Sequence, residues 1–144
     1  MPLYDLPEIS CPDGYRVLRP LPHRSPEILE MIEREFSPAW RAESSVALAR
    51  TPCTMKVICP KDPSHVLAFC CWDCTAKGFL GPVGVLSEAR GMDLGRAVVL
   101  STLYSMREDG YAYAVVGGAG PVEFFRKICD ARPIEGSDPG IYGR

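Results

Sequence analysis

The sequence predicts a single α/β domain of the α+β kind, with a mixed, mostly antiparallel central sheet of six to seven strands and about four flanking helices. Two observations support this fold class. The 144 residues are 47% hydrophobic and 24% charged, which fits one globular domain around one core. Three strand patterns follow one another directly in the middle of the chain, and later strand patterns alternate with helical ones. This order predicts one sheet that contains both antiparallel neighbours and β-α steps.

The first part of the chain predicts one strand and two helices. Residues 1–13 hold three prolines and no regular period, so we expect an irregular lead-in before a single domain over residues 14–144. The alternation of residues 14–19 predicts the first strand. Ser25, followed by Pro and Glu, is typical of a helix start with Ser25 as the N-cap. A second helix is expected over residues 38–49.

Three strand candidates follow with no helix between them. They cover residues 55–59, 65–72 and 79–86, and a turn signal at residues 61–64 separates the first two. The third candidate contains two glycines and a proline, which are unfavourable in a central strand. That composition indicates a distorted strand whose backbone is approached closely by another group.

The second half of the chain alternates helices with strands. Residues 94–109 carry the most regular helical period, with one apolar stripe that we expect to be buried. Residues 111–116 predict a strand, and Pro121 begins a helix that runs to about residue 129. The tail is expected to form two short strands on either side of a turn at residues 137–140.

Charge and hydropathy exclude several kinds of function. The net charge is −2 and the Lys and Arg residues are scattered, which argues against a broad nucleic-acid-binding face. Apolar stretches fall short of the ~20 residues that a membrane span needs. The first residues lack the basic start and apolar run of a signal peptide. We therefore expect a cytoplasmic protein with neither nucleic-acid nor membrane partners.

The seven cysteines are irregularly spaced, which favours reduced thiols over a disulfide framework. Cys71 and Cys74 form a C-x-x-C pair and, with Cys59 and Cys70, would offer four thiolates to a zinc ion. However, Cys70 and Cys71 are neighbours in a strand pattern and should point to opposite faces of the sheet. Free buried cysteine behaves as a small hydrophobic residue. The sequence therefore predicts no metal site.

The segment most informative about chemistry is GPVGVLSEARGMDLGRAVVL, residues 81–100. It predicts a strand, a short turn that contains Arg90 and Gly91, and a long helix. The N-terminus of a helix offers unpaired amides and the positive end of a dipole, which suits an anionic group such as a diphosphate. Glycine lets a ligand approach the backbone, and Arg90 and Arg96 add positive charge.

This segment resembles motif A of the GNAT (Gcn5-related) N-acetyltransferases, whose signature is Q/R-x-x-G-x-G/A between a strand and a helix. Here the signature reads RGMDLG over residues 90–95. The run GYAYAVVGGAGPVEFFRKICDA at residues 110–131 is similar to the strand and helix that follow motif A in that family. The order of elements over residues 14–144 also matches. The resemblance implies a GNAT-like fold with a splayed strand pair that forms an acyl-CoA cleft.

The resemblance also implies a set of residues that bind acetyl-CoA as the acyl donor. Strand residues would pair with the pantetheine arm, the turn before the helix would cradle the diphosphate, and residues near the splayed strand and on the last helix would complete the cleft. These residues are Val83, Val85, Arg90, Gly91, Met92, Asp93, Leu94, Gly95, Arg96, Gly118, Gly120, Phe125 and Lys127.

The sequence departs from the family pattern at three positions. Asp93 stands where the signature has its middle glycine, and its carboxylate would repel a diphosphate. The alternative is that Asp93 caps the helix with its side chain turned outward. Phe125 stands where many members have a tyrosine that protonates the departing thiolate. Gly118 replaces an asparagine that contacts the cofactor arm.

Five residues are candidates for proton transfer, of which Asp73, Glu123 and Tyr142 are the predicted catalytic residues. Asp73, at the end of a predicted strand, is the first candidate for the general base, and its alternative role is to cap a turn. Glu123 lies in the first turn of the last helix, where a surface acid stabilised by the helix dipole is the alternative. Tyr142 is a candidate proton donor, as are Tyr111 and Tyr113, although tyrosine in a strand is commonly half-buried core.

The sequence therefore predicts an acetyl-CoA-dependent N-acetyltransferase that acts by direct transfer to a primary amine. The alternative is a non-catalytic CoA-binding or protein-interaction domain of the same fold, motivated by Asp93 and Phe125. The acceptor stays open between a small amine, an aminoglycoside and a protein terminus. Besides the acceptor, the expected partners include a second copy of the chain, in a homodimer.

Overall fold

The computed structural model describes residues 1–62 and 65–143. Its five strands form one sheet in the order β1-β2-β3-β4-β5. The first four are antiparallel neighbours, and β5 runs parallel to β4, so the predicted mixed and mostly antiparallel sheet is confirmed. The strands are β1 (Tyr15–Leu18), β2 (Met55–Pro60), β3 (Ala68–Trp72), β4 (Phe79–Val85) and β5 (Val115–Val116).

Four α-helices surround the sheet in the described residues, as predicted. They are α1 (Ser25–Glu35), α2 (Pro38–Leu48), α3 (Leu94–Glu108) and α4 (Val122–Cys129). Short 3₁₀ turns lie at Pro22–Arg24, Ser87–Ala89 and Ile141–Gly143. Helices α1 and α2 pack against each other, and α3 packs across β2, β3 and β4.

Two helix starts differ in how they are capped. The prediction that Ser25 caps the N-terminus of α1 is wrong. The 3₁₀ turn at Pro22–Arg24 runs directly into α1, so Ser25 already has helical geometry, with φ of −57°. At the start of α2, by contrast, the Ser37 hydroxyl accepts a hydrogen bond from the Trp40 N–H at 3.1 Å. Ser37 therefore satisfies one of the amides that a helix N-terminus leaves unpaired.

The prediction of six to seven strands is wrong for the described residues, which form five. Only Val115 and Val116 of the predicted strand 111–116 join the sheet. The preceding residues pair instead with the N-terminus, since Leu3 N–H donates to Ala112 O at 2.9 Å. The described part of the tail, up to residue 143, contains no strand. Its residues are mostly exposed and rich in proline and glycine, so it lacks the alternating buried face of a strand.

The lead-in takes part in the core: Leu3 has no exposed surface, although residues 1–13 contain no helix or strand. Residues 63 and 64 of the predicted turn, and Arg144 at the end of the predicted domain, lie outside the described residues. No helix within the described ranges is long and apolar enough to cross a membrane.

The cysteines are unpaired throughout the described chain. Cys70 and Cys71 are completely buried in the central strand β3, where they pack with core side chains such as Phe69 and Trp72. Burial raises the pKa of the Cys70 thiol to about 12, which keeps it protonated. Within residues 1–62 and 65–143, no group of three or more metal-ligating side chains is placed to hold an ion.

Candidate functional site

The candidate site is a cleft that opens where β4 and β5 separate. The two strands pair only through Phe79 with Val115 and Leu80 with Val116. In the described structure, residues 81–85 of β4 therefore have no partner strand on that side, and a cleft of about 1270 Å³ occupies the gap. This is the splayed strand pair that the resemblance implied.

The open edge of β4 presents main-chain polar groups to the cleft. Beyond the end of β4, the Leu86 N–H donates to the Leu67 carbonyl on the β3 side at 2.9 Å. Because backbone groups alternate along a strand, those of Val83 and Val85 face the other way, toward the cleft. The Val85 carbonyl accepts a hydrogen bond from Arg90 Nε at 3.4 Å. The Val83 N–H and C=O and the Val85 N–H can therefore pair with the polar groups of an extended ligand.

The turn between β4 and α3 supplies a set of hydrogen-bond donors. Gly91 has φ of +76°, a left-handed conformation that glycine adopts without steric cost. The first intrahelical bond of α3 runs from Ala97 N–H to Asp93 O at 3.2 Å. The N–H groups of residues 94–96 therefore have no acceptor within the helix, and these residues line the cleft.

Asp93 occupies the N-cap position of α3, but its side chain forms no capping hydrogen bond. The alternative in which the Asp93 carboxylate caps the helix is therefore right about the position and wrong about the side-chain hydrogen bond. Asp93 instead takes a left-handed conformation with φ of +61°, which glycine adopts more readily than other residues. The side chain is exposed and lines the cleft, and the helix amides remain available.

The cationic groups beside these amides are Arg90 and Arg96, and both line the cleft. Neither forms an ion pair with any residue in the described ranges. Two guanidinium groups together with unpaired helix amides make a donor set that suits a diphosphate.

Gly95 is needed for close packing between α3 and α4. A Cβ atom at this position would lie 3.2 Å from Phe124 Cζ and 3.4 Å from Val85 Cγ2. The Phe124 ring in turn contacts the Phe125 ring edge to face, with 5.2 Å between centroids. Phe125 is nearly buried and lines the cleft with an apolar surface.

Most of the predicted cofactor-binding residues are brought together in this cleft. Two are not: Met92 packs against the core, and Lys127 is exposed on α4 away from the lining. The predicted residues that line the cleft are Val83, Val85, Arg90, Gly91, Asp93, Leu94, Gly95, Arg96, Gly118, Gly120 and Phe125.

Two of the three predicted catalytic residues lie outside the lining of the cleft. Asp73 is buried, and its two carboxylate oxygens accept hydrogen bonds from Gly78 N–H and Tyr111 O–H, each at 2.7 Å. It therefore holds the turn between β3 and β4, which was its alternative role. Glu123 is exposed on α4 and forms an ion pair with Arg126 at 2.9 Å. Tyr142 alone of the three lines the cleft.

Glu43 is a cleft residue that the sequence did not predict. It lies on α2, and its Oε1 accepts hydrogen bonds from Tyr142 O–H at 2.8 Å and Thr75 O–H at 2.7 Å. In the described part of the chain, Oε2 has no hydrogen-bond partner. Desolvation raises the pKa of the Tyr142 hydroxyl, and Glu43 raises it further, so this hydroxyl stays protonated at neutral pH.

No local sequence signal could have identified this pair, because Glu43 and Tyr142 are 99 residues apart along the chain. Gly118, where an asparagine is common in the family pattern, accommodates the tyrosine: a Cβ atom at Gly118 would lie 3.2 Å from Tyr142 Cδ2.

The wall of the cleft formed by the end of α1 and by α2 is largely aromatic and apolar. The Trp40 ring stacks on the Phe36 ring with 5.1 Å between centroids, and both residues line the cleft while keeping partial exposure. Phe69 contacts both rings edge to face from the core. Pro82 of β4 lines the same cleft. The aromatic pair is therefore held in place by packing from behind.

The fold and the cleft together define a GNAT architecture, and comparisons with solved structures agree. The chain is similar to a GCN5-related N-acetyltransferase from Sphaerobacter thermophilus, with TM-score 0.70 and 18% identity over 89% of this chain and 45% of that one. It is also similar to a GNAT-family acetyltransferase from Brucella melitensis, solved in complex with acetyl-CoA, with TM-score 0.55 and 21% identity over 78% of this chain and 80% of that one.

A third similar structure is a fungal multi-domain GH3 β-N-acetylglucosaminidase that contains a GCN5-related glucosamine N-acetyltransferase region. Its TM-score is 0.66 and its identity 16%, over 81% of this chain and 16% of that one. This chain thus spans less than half the length of the fungal and Sphaerobacter proteins. No protein-family model and no curated protein matches it. The chain has the GNAT fold, which confirms the predicted resemblance at the level of architecture.

Proposed function

We propose that this protein is an acetyl-CoA-dependent N-acetyltransferase that transfers the acetyl group directly to a primary amine. The proposal rests on three features that meet in one cleft: an open strand edge, the unpaired amides at the start of α3, and two arginines that form no ion pair within the described residues. The Brucella structure of the same fold, solved with acetyl-CoA, supports the choice of donor. We further propose that the protein acts in the cytoplasm.

The donor set fits the parts of acetyl-CoA. Arg90, Arg96 and the amides of residues 94–96 would hold the diphosphate, because all of these are donors that face one cleft. The backbone groups of Val83 would pair with the amides of the pantetheine arm, and so would the Val85 carbonyl once Arg90 turns from it to the diphosphate. When bound, acetyl-CoA supplies an acetyl group activated as a thioester. The Val85 N–H, on the open edge, would polarise the thioester carbonyl.

The proton transfers can be assigned to Glu43 and Tyr142. A protonated amine must lose one proton before its nitrogen can attack. Glu43 Oε2, which has no hydrogen-bond partner among the described residues, can take that proton. The amine nitrogen then attacks the thioester carbonyl carbon, and the carbon–sulfur bond breaks. Tyr142 donates its hydroxyl proton to the leaving sulfur, and the amide nitrogen releases its extra proton to water. Because Tyr142 is 2.8 Å from Glu43, the carboxyl proton can restore the tyrosine.

The diphosphate assignment is tested by titrating the chain with acetyl-CoA in a calorimeter. We expect Arg90→Ala and Arg96→Ala each to weaken binding by about tenfold, since each removes a hydrogen bond to a charged group worth about 1.5 kcal/mol. Gly91→Glu should abolish binding. Arg34→Ala is the matched control, because Arg34 is an exposed arginine outside the cleft lining. No binding at millimolar acetyl-CoA, or equal losses in the control, would refute the proposal.

Catalysis is tested separately from binding by following thiol release with a panel of primary amines. Amine-dependent release of CoA is the expected result. The alternative, a non-catalytic CoA-binding or protein-interaction domain, is motivated by Phe125, which lacks the hydroxyl of the usual proton donor. Acetyl-CoA binding without release for any amine would favour that alternative and reject the transferase.

A further inference from the structure

The walls of the cleft differ in charge. Both arginines of the lining, Arg90 and Arg96, come from the turn before α3 and from its first turn, and the carboxylate of Asp93 lies among them. The wall formed by the end of α1 and by α2 contributes one charged lining residue in the described structure, Glu43. We call the side that carries Arg90 and Arg96 the α3 wall, and the side formed by the end of α1 and by α2 the α2 wall. An anionic ligand group therefore fits the α3 wall, and a cationic group fits the α2 wall.

Glu43 is presented to the cleft in a defined orientation. Two neutral hydroxyl groups, those of Thr75 and Tyr142, converge on its Oε1 at 2.7 and 2.8 Å. These bonds fix the side chain but leave its negative charge uncompensated, because Glu43 forms no ion pair within the described residues. Its Oε2 remains available to a donor from outside the protein.

Trp40 lies beside this carboxylate. It is three residues before Glu43 on α2, so the two side chains share one face of the helix. The indole ring is fixed by stacking on Phe36, which lowers the entropy cost of contact with a ligand. An ammonium group is attracted both by a carboxylate and by the face of an aromatic ring. The α2 wall thus combines one negative charge with an ordered apolar surface.

Resting on the proposed function, we infer that the acceptor is a monocationic primary amine carried on an aromatic or similarly apolar body. Its ammonium group pairs with Glu43 Oε2, and its body lies against Trp40 and Phe36. A polycation such as spermidine would face only one carboxylate on this wall. A sugar amine would present a more polar body to this apolar wall and gain less from the contact.

Binding of the amine can be measured without acetyl-CoA, so that it does not depend on transfer. The probe is 2-phenylethylamine, and 2-phenylethanol is its uncharged counterpart of similar size. We expect the wild-type chain to bind the amine at least about tenfold more tightly than the alcohol. Glu43→Gln should remove that preference, because the amide oxygen still accepts both hydroxyl hydrogen bonds while the charge is lost. Trp40→Leu should weaken both probes.

The control variant is Glu33→Gln. It removes an exposed carboxylate of α1 that lies outside the cleft lining, so it should leave the amine preference unchanged. Equal affinity for the amine and the alcohol in the wild type would overturn the inference. A preference that persists in Glu43→Gln would overturn it as well. Circular dichroism of each variant establishes that it is folded.

Kinetics with acetyl-CoA then distinguish this inference from the proposed function. We expect kcat/KM for 2-phenylethylamine to exceed that for glucosamine, spermidine or a short peptide N-terminus by at least about tenfold. If one of those acceptors is preferred tenfold, the transferase proposal stands and the inferred acceptor class is wrong. If no amine is acetylated but 2-phenylethylamine binding still depends on Glu43, the transferase proposal fails and the assignment of a cationic aromatic ligand to this wall stands.

Discussion

Asp93 offers a sharp test of the diphosphate site, because removing its charge should affect stability and cofactor affinity in opposite directions. Its carboxylate lies at the N-cap position of α3, directly before the amides of residues 94–96. Asparagine has nearly the same shape and also tolerates the left-handed backbone at φ of +61°. Asp93→Asn therefore removes the charge and little else.

The expected change in acetyl-CoA affinity follows from the distance between Asp93 and the bound phosphate. A phosphate seated on these amides would lie about two residues away, which is roughly 7 Å. At that distance two negative charges repel each other by about 0.6 kcal/mol in water and about 1.2 kcal/mol at half that dielectric constant. We expect Asp93→Asn to bind acetyl-CoA about threefold to eightfold more tightly. Its melting temperature should fall by about 1–4 °C, since an acid is favourable at a helix N-terminus.

The assay is calorimetric titration of acetyl-CoA at 20 mM and at 1 M salt, because high salt screens the repulsion and should remove the gain. Asp130→Asn is a matched control. Asp130 is also an aspartate with positive φ at a helix end, but it lies at the C-cap of α4 and pairs with Arg132 outside the cleft lining. Unchanged or weaker binding by Asp93→Asn at low salt would show that the diphosphate does not sit at this helix.

Two further predictions concern stability and thiol reactivity. Gly84→Ala should lower the melting temperature by about 2–10 °C, a loss of about 1–3 kcal/mol, because its Cβ would lie 2.6 Å from two phenylalanine rings; an unchanged transition in a thermal melt would contradict this packing. The hydrogen bond from Cys71 holds the pKa of the Cys74 thiol below its ordinary value, so Cys74 should be alkylated at lower pH than Cys53, whose pKa is raised by burial. Mass spectrometry of iodoacetamide-treated protein measures the order, and reversed reactivity would contradict it.

The elements that the sequence predicted best are those decided by local patterns. The apolar stripe of α3 and its start after a glycine-containing turn lie within one stretch of chain, and the structure places both at the expected residues. Residues 111–114 show the limit of such patterns. Their alternation resembles a strand, but they pair with the N-terminus, and Tyr113 is 61% exposed. The pairing partner of a short extended segment is decided by residues far away in the sequence. The alternation of apolar and polar residues within the segment does not specify that partner.

The same distinction explains the functional site. The turn of residues 90–95 could be predicted because glycine content and a helix start are local properties of the sequence. Glu43 could not, since its neighbours Thr75 and Tyr142 are 32 and 99 residues away and α2 carries no charge cluster that would single it out. Asp73 is the first candidate for the base from its place at a strand end, with turn capping as the alternative, and in the structure the carboxylate turns back onto its own loop. The direction in which a side chain turns at a strand end is decided by nearby donors.

Two departures from the family signature are linked in the structure. Phe125 lacks the hydroxyl of the usual donor, and Gly118 lacks the side chain that would crowd the Tyr142 ring. We expect Tyr142→Phe to lower the transfer rate by about a hundredfold, the loss of one general acid. Gly118→Asn should cause a similar loss by displacing the ring, and the double variant should be no slower than either one, because both changes remove the same proton donor. Tyr113→Phe, an equally exposed tyrosine outside the cleft, is the control. Losses that multiply in the double variant would mean that Gly118 acts independently of Tyr142.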